Sequence, residues 1–404
     1  MTARGKGFLG AGVVVGLCGL VLGLHDLTKI GVLLALLPAL ALLLARRDHE
    51  LEVTRTVEPT RITTGGHADV TVEVRNAGRL PTPLLRGEEH LAYALGDRPR
   101  LLIAPLEGGG SRRVGYRVRS HVRGRHQIGP LTFRLADPFG LVTRAVTVPG
   151  TTSLVVLPRV LPLTPVRGVR AGGGGETSAA SRVSLQGEDD VGVREYRIGD
   201  DLRRIHWRST ARTGETMVRQ DEQPSRRRAL VLLDDRAVAH AGTGNGGSFE
   251  WSVTAVASIV TLLLSERFEV HLCLASDEAG AVRPLEGLDH ALDELAAVEP
   301  RATTSPRGLV ESLDDFMQHG GGLVIGVVGD LGDDIADLCT ARSRHGLALV
   351  IDRGGFHSGA RAEGAAVSTA RILAGGGWHA EVVRPGDGLQ DQWARVTVGL
   401  GVRA

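Results

Sequence analysis

The sequence predicts a mixed chain in three parts: a transmembrane helical hairpin, an all-β sandwich and a carboxyl-terminal α/β domain with a mainly parallel sheet. Three observations carry that expectation. Two uncharged apolar runs stand near the amino terminus, apolar and polar residues alternate with period two from Leu51, and continuous apolar runs alternate with helix-period segments from Arg228 onward. The boundaries predicted are 1–48 for the hairpin, 49–165 for the sandwich, 166–185 for a glycine-rich linker, 186–228 for an arginine-rich segment and 229–404 for the α/β domain.

The hairpin rests on Gly7–Leu24 and Ile30–Ala45, neither of which carries a charge. A run of roughly 18 residues rises roughly 27 Å as a helix, close to the thickness of a bilayer's hydrocarbon core. A cleaved signal peptide fits less well, because no A-x-A site separates the first apolar run from the second and Leu17 precedes Cys18 where a lipoprotein site wants a small residue. Arg4 and Lys6 precede the hairpin, Arg46 and Arg47 follow it, and Lys29 in the turn is offset by Asp26. The positive-inside rule then puts both ends in the cytoplasm. The expected location is the cell membrane, multi-pass, with the soluble domains cytosolic and the lipid bilayer as the hairpin's partner.

The segments LEVTRTVEP, HADVTVEVRN, SRRVGYRVRS and LTFRLAD alternate, with turns expected at TTGG, NAG, EGGG and RGR. In DPFGL, Asp137 is expected to hydrogen-bond the turn backbone and Phe139 to anchor in the core. The run Ala171–Ser181 (AGGGGETSAAS) lacks the Gly-Lys-Ser/Thr ending of a phosphate loop and reads as a linker. Beyond it, RALVLLDD, FEVHLCLAS, GGLVIGVVGD, GLALVID and WHAEVVRP read as strands, with helices between, including Asp334–Arg344 and Ala362–Leu373. Ligands on such sheets bind at the carboxyl ends of strands, where Asp234 and Asp330 stand.

Composition narrows the partners. Lys and Arg number 47 against 46 Asp and Glu, so no whole-molecule field attracts nucleic acid, and none is expected as a partner. Cys18, Cys273 and Cys339 are far apart and read as unpaired thiols.

The densest chemistry lies in VREYRIGDDLRRIHWRSTARTGETMVRQDE, Val193–Glu222. One reading is catalytic: Asp200 or Asp201 orients His206 as general base, Ser209 or Thr210 reacts, and Arg203, Arg204 or Arg208 holds an oxyanion. No strand-to-helix elbow precedes the serine, however. The other reading is architectural. Asp200 or Asp201 caps a helix whose Leu202, Ile205 and His206 form an apolar stripe beside Trp207, a buried Trp207 clasps the segment against the edge of the α/β sheet, and the arginines pair with carboxylates or face a partner. Seven arginines against six carboxylates imply mutual satisfaction. The interaction set is Arg194, Tyr196, Asp200, Asp201, Arg204, His206, Trp207 and Arg212.

This signature, preceded by RGRHQIGP and DPFGL and followed by a strand ending in Asp, resembles the bacterial DUF58 family. The resemblance implies two amino-terminal membrane helices, a β-sandwich and a von Willebrand A-like (Rossmann-type) carboxyl-terminal domain. It also implies a MoxR-type AAA+ ATPase as partner, because members are commonly encoded beside such ATPases. Metal-binding von Willebrand A domains carry Asp-x-Ser-x-Ser, a distant Thr and a distant Asp around Mg²⁺. Here Asp234-Asp235-Arg236-Ala237-Val238 keeps the first aspartate and loses both serines, with Thr303 or Thr304 and Asp330 left for the other positions. The expected site is degenerate and binds no metal, and Asp234 and Asp330 become solvent-facing strand-end residues that cap helices. The expected function is a membrane-anchored, cytosol-facing, non-enzymatic adaptor without a cofactor. A membrane-bound hydrolase using His206 with Asp200 or Asp201, and a purely structural envelope protein, are the alternatives.

Overall fold

The computed structural model describes residues 1–45, 50–137, 139–165, 193–196, 205–219, 227–277, 282–303, 305–358 and 364–398. They form two compact units, residues 1–159 with 292–298 and residues 160–291 with 299–404.

The first unit opens with helices α1 (Ala3–Val21) and α2 (His25–Ala45), both long and apolar enough to cross a membrane. Glycine sets their approach. A Cβ on Gly12 would lie 2.6 Å from Ala35 N, and one on Gly19 would lie 2.5 Å from Thr28 N. Close packing through small residues is how apolar helices associate where water supplies no driving force.

Nine strands follow in this unit: β1 (Leu51–Glu58), β2 (Arg61–Thr63), β3 (His67–Asn76), β4 (Leu85–Leu91), β5 (Arg100–Ile103), β6 (Ser111–Arg119), β7 (Gly124–Ala136), β8 (Thr143–Val148) and β9 (Thr152–Leu157). Strands β1, β3 and β6 make an antiparallel sheet, and β2, β9, β7, β4 and β5 make a mixed one, antiparallel except that β2 runs parallel to β9, with β8 beside β7. The period-two pattern has its expected consequence: alternate residues of β3 are buried, and Val70, Val72 and Val74 share one core with Leu85, Phe133 and Leu154 of the other sheet. The charged pair Arg55–Glu89 is also buried here, Nε to Oε1 at 2.8 Å.

The DPFGL turn differs from its expectation in one residue. Asp137 accepts from Phe139 N at 3.1 Å and from Val142 N at 2.6 Å, as its turn role requires. Phe139 is not a core anchor; it is 65% exposed. Leu141 and Val142 are the buried members, packed with Ala41 of α2. The turn is occupied in holding the hairpin, which points the phenyl ring outward.

The second unit begins with β10 (Val193–Glu195), α3 (Trp207–Thr213) and β11 (Met217–Arg219), then alternates as expected: β12 (Arg228–Leu233), α4 (Ser248–Ser265), β13 (Glu269–Leu274), α5 (Leu288–Ala297, counted with the first unit from Leu292), α6 (Arg307–Gln318), β14 (Leu323–Val328), α7 (Asp333–Arg342), β15 (Leu347–Ile351), α8 (Arg353–Ser358), α9 (Ala365–Gly375), β16 (His379–Val383) and α10 (Leu389–Val398). Five strands form a parallel sheet in the order β13-β12-β14-β15-β16. Leu230 and Leu232 of β12 meet Leu313 and Phe316 of α6 and Leu373 of α9 in one core. Helix α4 is also long and apolar enough for a membrane span, yet most of it is buried against β12, β13 and β14. A helix apolar on all sides suits a protein core equally well.

Candidate functional site

Strand order reverses between β12 and β14, so the crevice beyond their carboxyl ends is the switch point of the sheet. Asp234 follows β12 directly and Asp330 lies two residues beyond β14. The fully buried Asp234 carboxylate is gripped by its own neighbour: Arg236 Nε donates to Oδ1 at 2.8 Å and Nη2 donates to Oδ2 at 2.7 Å. The amides of Arg236 and Gly329 donate to the same two oxygens at 3.2 and 3.1 Å. Arg236 Nη2 also reaches the carbonyl of Asp330 at 2.9 Å, which ties the ends of β12 and β14 together through one guanidinium.

Asp234 is therefore not a solvent-facing cap. A carboxylate at 0% exposure must be paired, and the bidentate fork of arginine supplies the pairing. Asp330 fits its expectation better: it is exposed, and its Oδ1 accepts from Gly332 N at 3.0 Å beside the start of α7 and from Thr369 Oγ1 at 3.2 Å.

These residues do not fit Mg²⁺. Four donors already fill Asp234, and a fixed cation stands against it. Thr303 is exposed, while Thr304 lies outside the described residues. No group of three or more His, Cys, Asp or Glu side chains converges on a metal position among the described residues.

His240 completes the buried network, and composition alone gave no sign of it. Its Nε2–H donates to the Asp234 carbonyl at 2.6 Å, and its Nδ1 faces Ser248 Oγ at 3.2 Å. Burial pushes the imidazole below its ordinary value of 6.5, against the pull of Asp234, and burial does the same to His271. Both rings fold neutral. Their contribution to stability is complete above pH 6.5 and is lost as pH falls toward the depressed folded values. Denaturation of the full chain and of His240→Gln between about pH 7 and 5 should show the parent losing stability relative to the variant on acidification. A pH profile unchanged by that substitution would contradict the assignment.

A cavity of about 350 Å³ opens next to this network, lined by Asp330, Asp352, Arg353 and His357 with Val238 and Ile351. Both charge signs line it. The arrangement can bind a polar partner group but contains no activated nucleophile among the described residues.

The signature segment folds differently from the expected capped helix. Asp200, Asp201 and Arg204 lie outside the described residues, as does the linker Ala171–Ser181. Ile205 pairs with Val218 as a β-bridge instead of forming a helical stripe with His206. Helix α3 starts at Trp207 and is capped by His206, whose Nδ1 accepts from Ser209 N at 3.2 Å and meets Ser209 Oγ at 2.8 Å. Gly214 ends it in the left-handed conformation, φ 81°. Arg194 and Tyr196 fall in or beside β10, which pairs with β11. Trp207 is 71% exposed, so it does not pack the segment against the sheet. It shares the outer face of α3 with Arg208 and Arg212, both exposed.

Likeness to solved structures is slight. The CARDB domain of a Pyrococcus furiosus protein, solved in complex with di-metal ions, is 16% identical with a TM-score of 0.21, covering 27% of this chain and 89% of that one. A FixG-related protein from Vibrio parahaemolyticus is 11% identical with a TM-score of 0.18, covering 26% of this chain and 95% of that one. Among curated proteins, the uncharacterized protein YeaD of Bacillus subtilis is 25% identical over 248 residues, 59% of this chain and 59% of its own length. Residues 192–353, which contain the signature segment and the Asp234–Arg236 pair, match DUF58, a protein family of unknown function, and with YeaD they support that family for this chain.

Proposed function

We propose that the protein is a membrane-anchored, non-enzymatic adaptor. In this reading α1 and α2 span the membrane with both ends cytosolic, the strand-rich unit is a β-sandwich, and the second unit is a von Willebrand A-like domain. Its partner is a MoxR-type AAA+ ATPase. One observation carries the proposal: the Arg236 guanidinium fills the strand-end position where such a domain would hold a metal. That leaves recognition to fixed side chains. The exposed Trp207, Arg208 and Arg212 of α3 offer tryptophan and arginine, the residue types that dominate binding hot spots.

The test is capture of the ATPase from detergent extract by the full chain, with and without ATP. Trp207→Ala or Arg212→Ala should weaken capture by roughly 2 kcal/mol, about 30-fold, for a hot-spot residue. Stability should change by less than about 0.5 kcal/mol, because the side chains are exposed. If no nucleotide-sensitive partner is captured, the structural envelope reading replaces the adaptor.

The contact of 2.8 Å between His206 Nδ1 and Ser209 Oγ favours a second reading, a hydrolase using His206 with Asp200 or Asp201. The same nitrogen caps α3, which explains the contact without catalysis. Ester turnover by the purified protein that stops in His206→Gln would establish the hydrolase.

A further inference from the structure

We infer that the hairpin-proximal end of the strand-rich unit is a lipid-contacting surface, with Phe139, Leu80 and Leu84 seated in the headgroup region of the bilayer. The inference rests on the reading that α1 and α2 span the membrane. Its basis is the position of one turn. Thr2 Oγ1 donates to the carbonyls of Gly140 at 2.8 Å and Leu141 at 3.0 Å, and Thr2 N donates to Leu141 O at 2.9 Å. Gly5 comes so near that a Cβ there would lie 2.2 Å from Leu141 O. Leu141 and Val142 pack with Ala41, Leu37, Leu42 and Ala45, and Arg144 Nη1 donates to Ala45 O at 3.4 Å. Gly140, Leu141 and Val142 thus lie level with the start of α1 and the last turns of α2.

Register carries that level across the sheet. Arg144 pairs with Leu135, Leu135 with Leu85, and Leu85 with Ile103, so one row of residues marks the hairpin-proximal end. Just beyond that row stands Leu84, 41% exposed, and the same loop carries Leu80, 60% exposed. Asn76 Nδ2 holds this loop by donating to Leu80 O at 2.7 Å. Phe139 on one loop and Leu80 and Leu84 on the other thus give this end of the unit exposed large apolar side chains beside the hairpin. Arg4 and Lys6 at the start of α1 and Arg79 on the Leu80 loop, all exposed, add positive charge at this end. Apolar groups with flanking cations fit an anionic lipid interface. The opposite end of β4 leads to Tyr93, fully exposed, about 20 Å away at the rise of a strand.

The experiment places an environment-sensitive fluorophore on single cysteines of the full chain in a Cys18→Ser background, Cys273 and Cys339 being buried. The protein is reconstituted in phosphatidylcholine–phosphatidylglycerol vesicles doped with lipid nitroxides at shallow or deep positions. Leu33→Cys, on the exposed face of α2, reports the hairpin itself. Expected is emission lost to the deep nitroxide at Leu33→Cys, to the shallow nitroxide at Phe139→Cys and Leu84→Cys, and to neither at Tyr93→Cys. Quenching at Leu33 with Phe139 and Leu84 behaving like Tyr93 would overturn the interface and leave the hairpin intact. Absence of quenching at Leu33 would overturn the spanning hairpin and the interface together.

Discussion

Glu89→Ala is expected to cost about 3–5 kcal/mol of stability, because it strands the Arg55 guanidinium inside the strand-rich unit. The two side chains are 2% and 0% exposed, and their contact of 2.8 Å is the main compensation for two desolvated charges. Compensation is incomplete. Arg55 Nη2 and Glu89 Oε2 are buried with no hydrogen-bond partner among the described residues. Burial accordingly raises the Glu89 carboxyl above its ordinary value of 4.5, against the pull of Arg55. Breaking the pair and replacing it should therefore differ sharply: the double change Arg55→Met with Glu89→Leu is expected within about 1 kcal/mol of the parent or above it. All four tryptophans, Trp207, Trp251, Trp378 and Trp393, belong to the second unit. Calorimetric melting of the full chain should show the first unit's transition falling in Glu89→Ala while the tryptophan-reported transition holds. A fall in the double variant as large as in the single one would refute the pairing argument.

Arg236→Ala should be as damaging to the second unit. Removal of the guanidinium leaves a fully buried Asp234 carboxylate with two amide donors and no counter-charge, again worth about 3–5 kcal/mol. Arg236→Lys should recover only part of the loss, since an ammonium cannot reproduce two parallel donors and still reach the Asp330 carbonyl. Here the tryptophan-reported transition is the one that should fall. Full stability in Arg236→Lys would show that charge alone suffices and that the fork has no special role.

Much of the fold was legible because its signals are local. Period-two alternation marks β3 and β7, continuous apolar runs mark β12, β14 and β15, and uncharged length marks α1 and α2. Asp137 was legible too, since an aspartate reaches the amide two residues on. What failed depends on distant partners. Phe139 reads as core by its chemistry, but its turn is held by Thr2, some 138 residues away. Trp207 reads as buried by size, yet the helix begins at that residue and turns the indole outward. The Asp234–Arg236 pair was within reach, because an Asp-x-Arg at a strand end places the guanidinium two residues from the carboxylate. The seven-residue spacing of Gly5, Gly12 and Gly19 also stood in the sequence and marks the packed face of α1.

The sharpest test of the strand-end site is calorimetry of the full-length protein in detergent, titrated with Mg²⁺ and then Mn²⁺ to millimolar concentration. With the guanidinium fixed between Asp234 and Asp330, no saturable heat of binding is expected for either metal. A saturable isotherm weakened by Asp330→Asn would show that a metal, and not Arg236, is the cation this domain was built around.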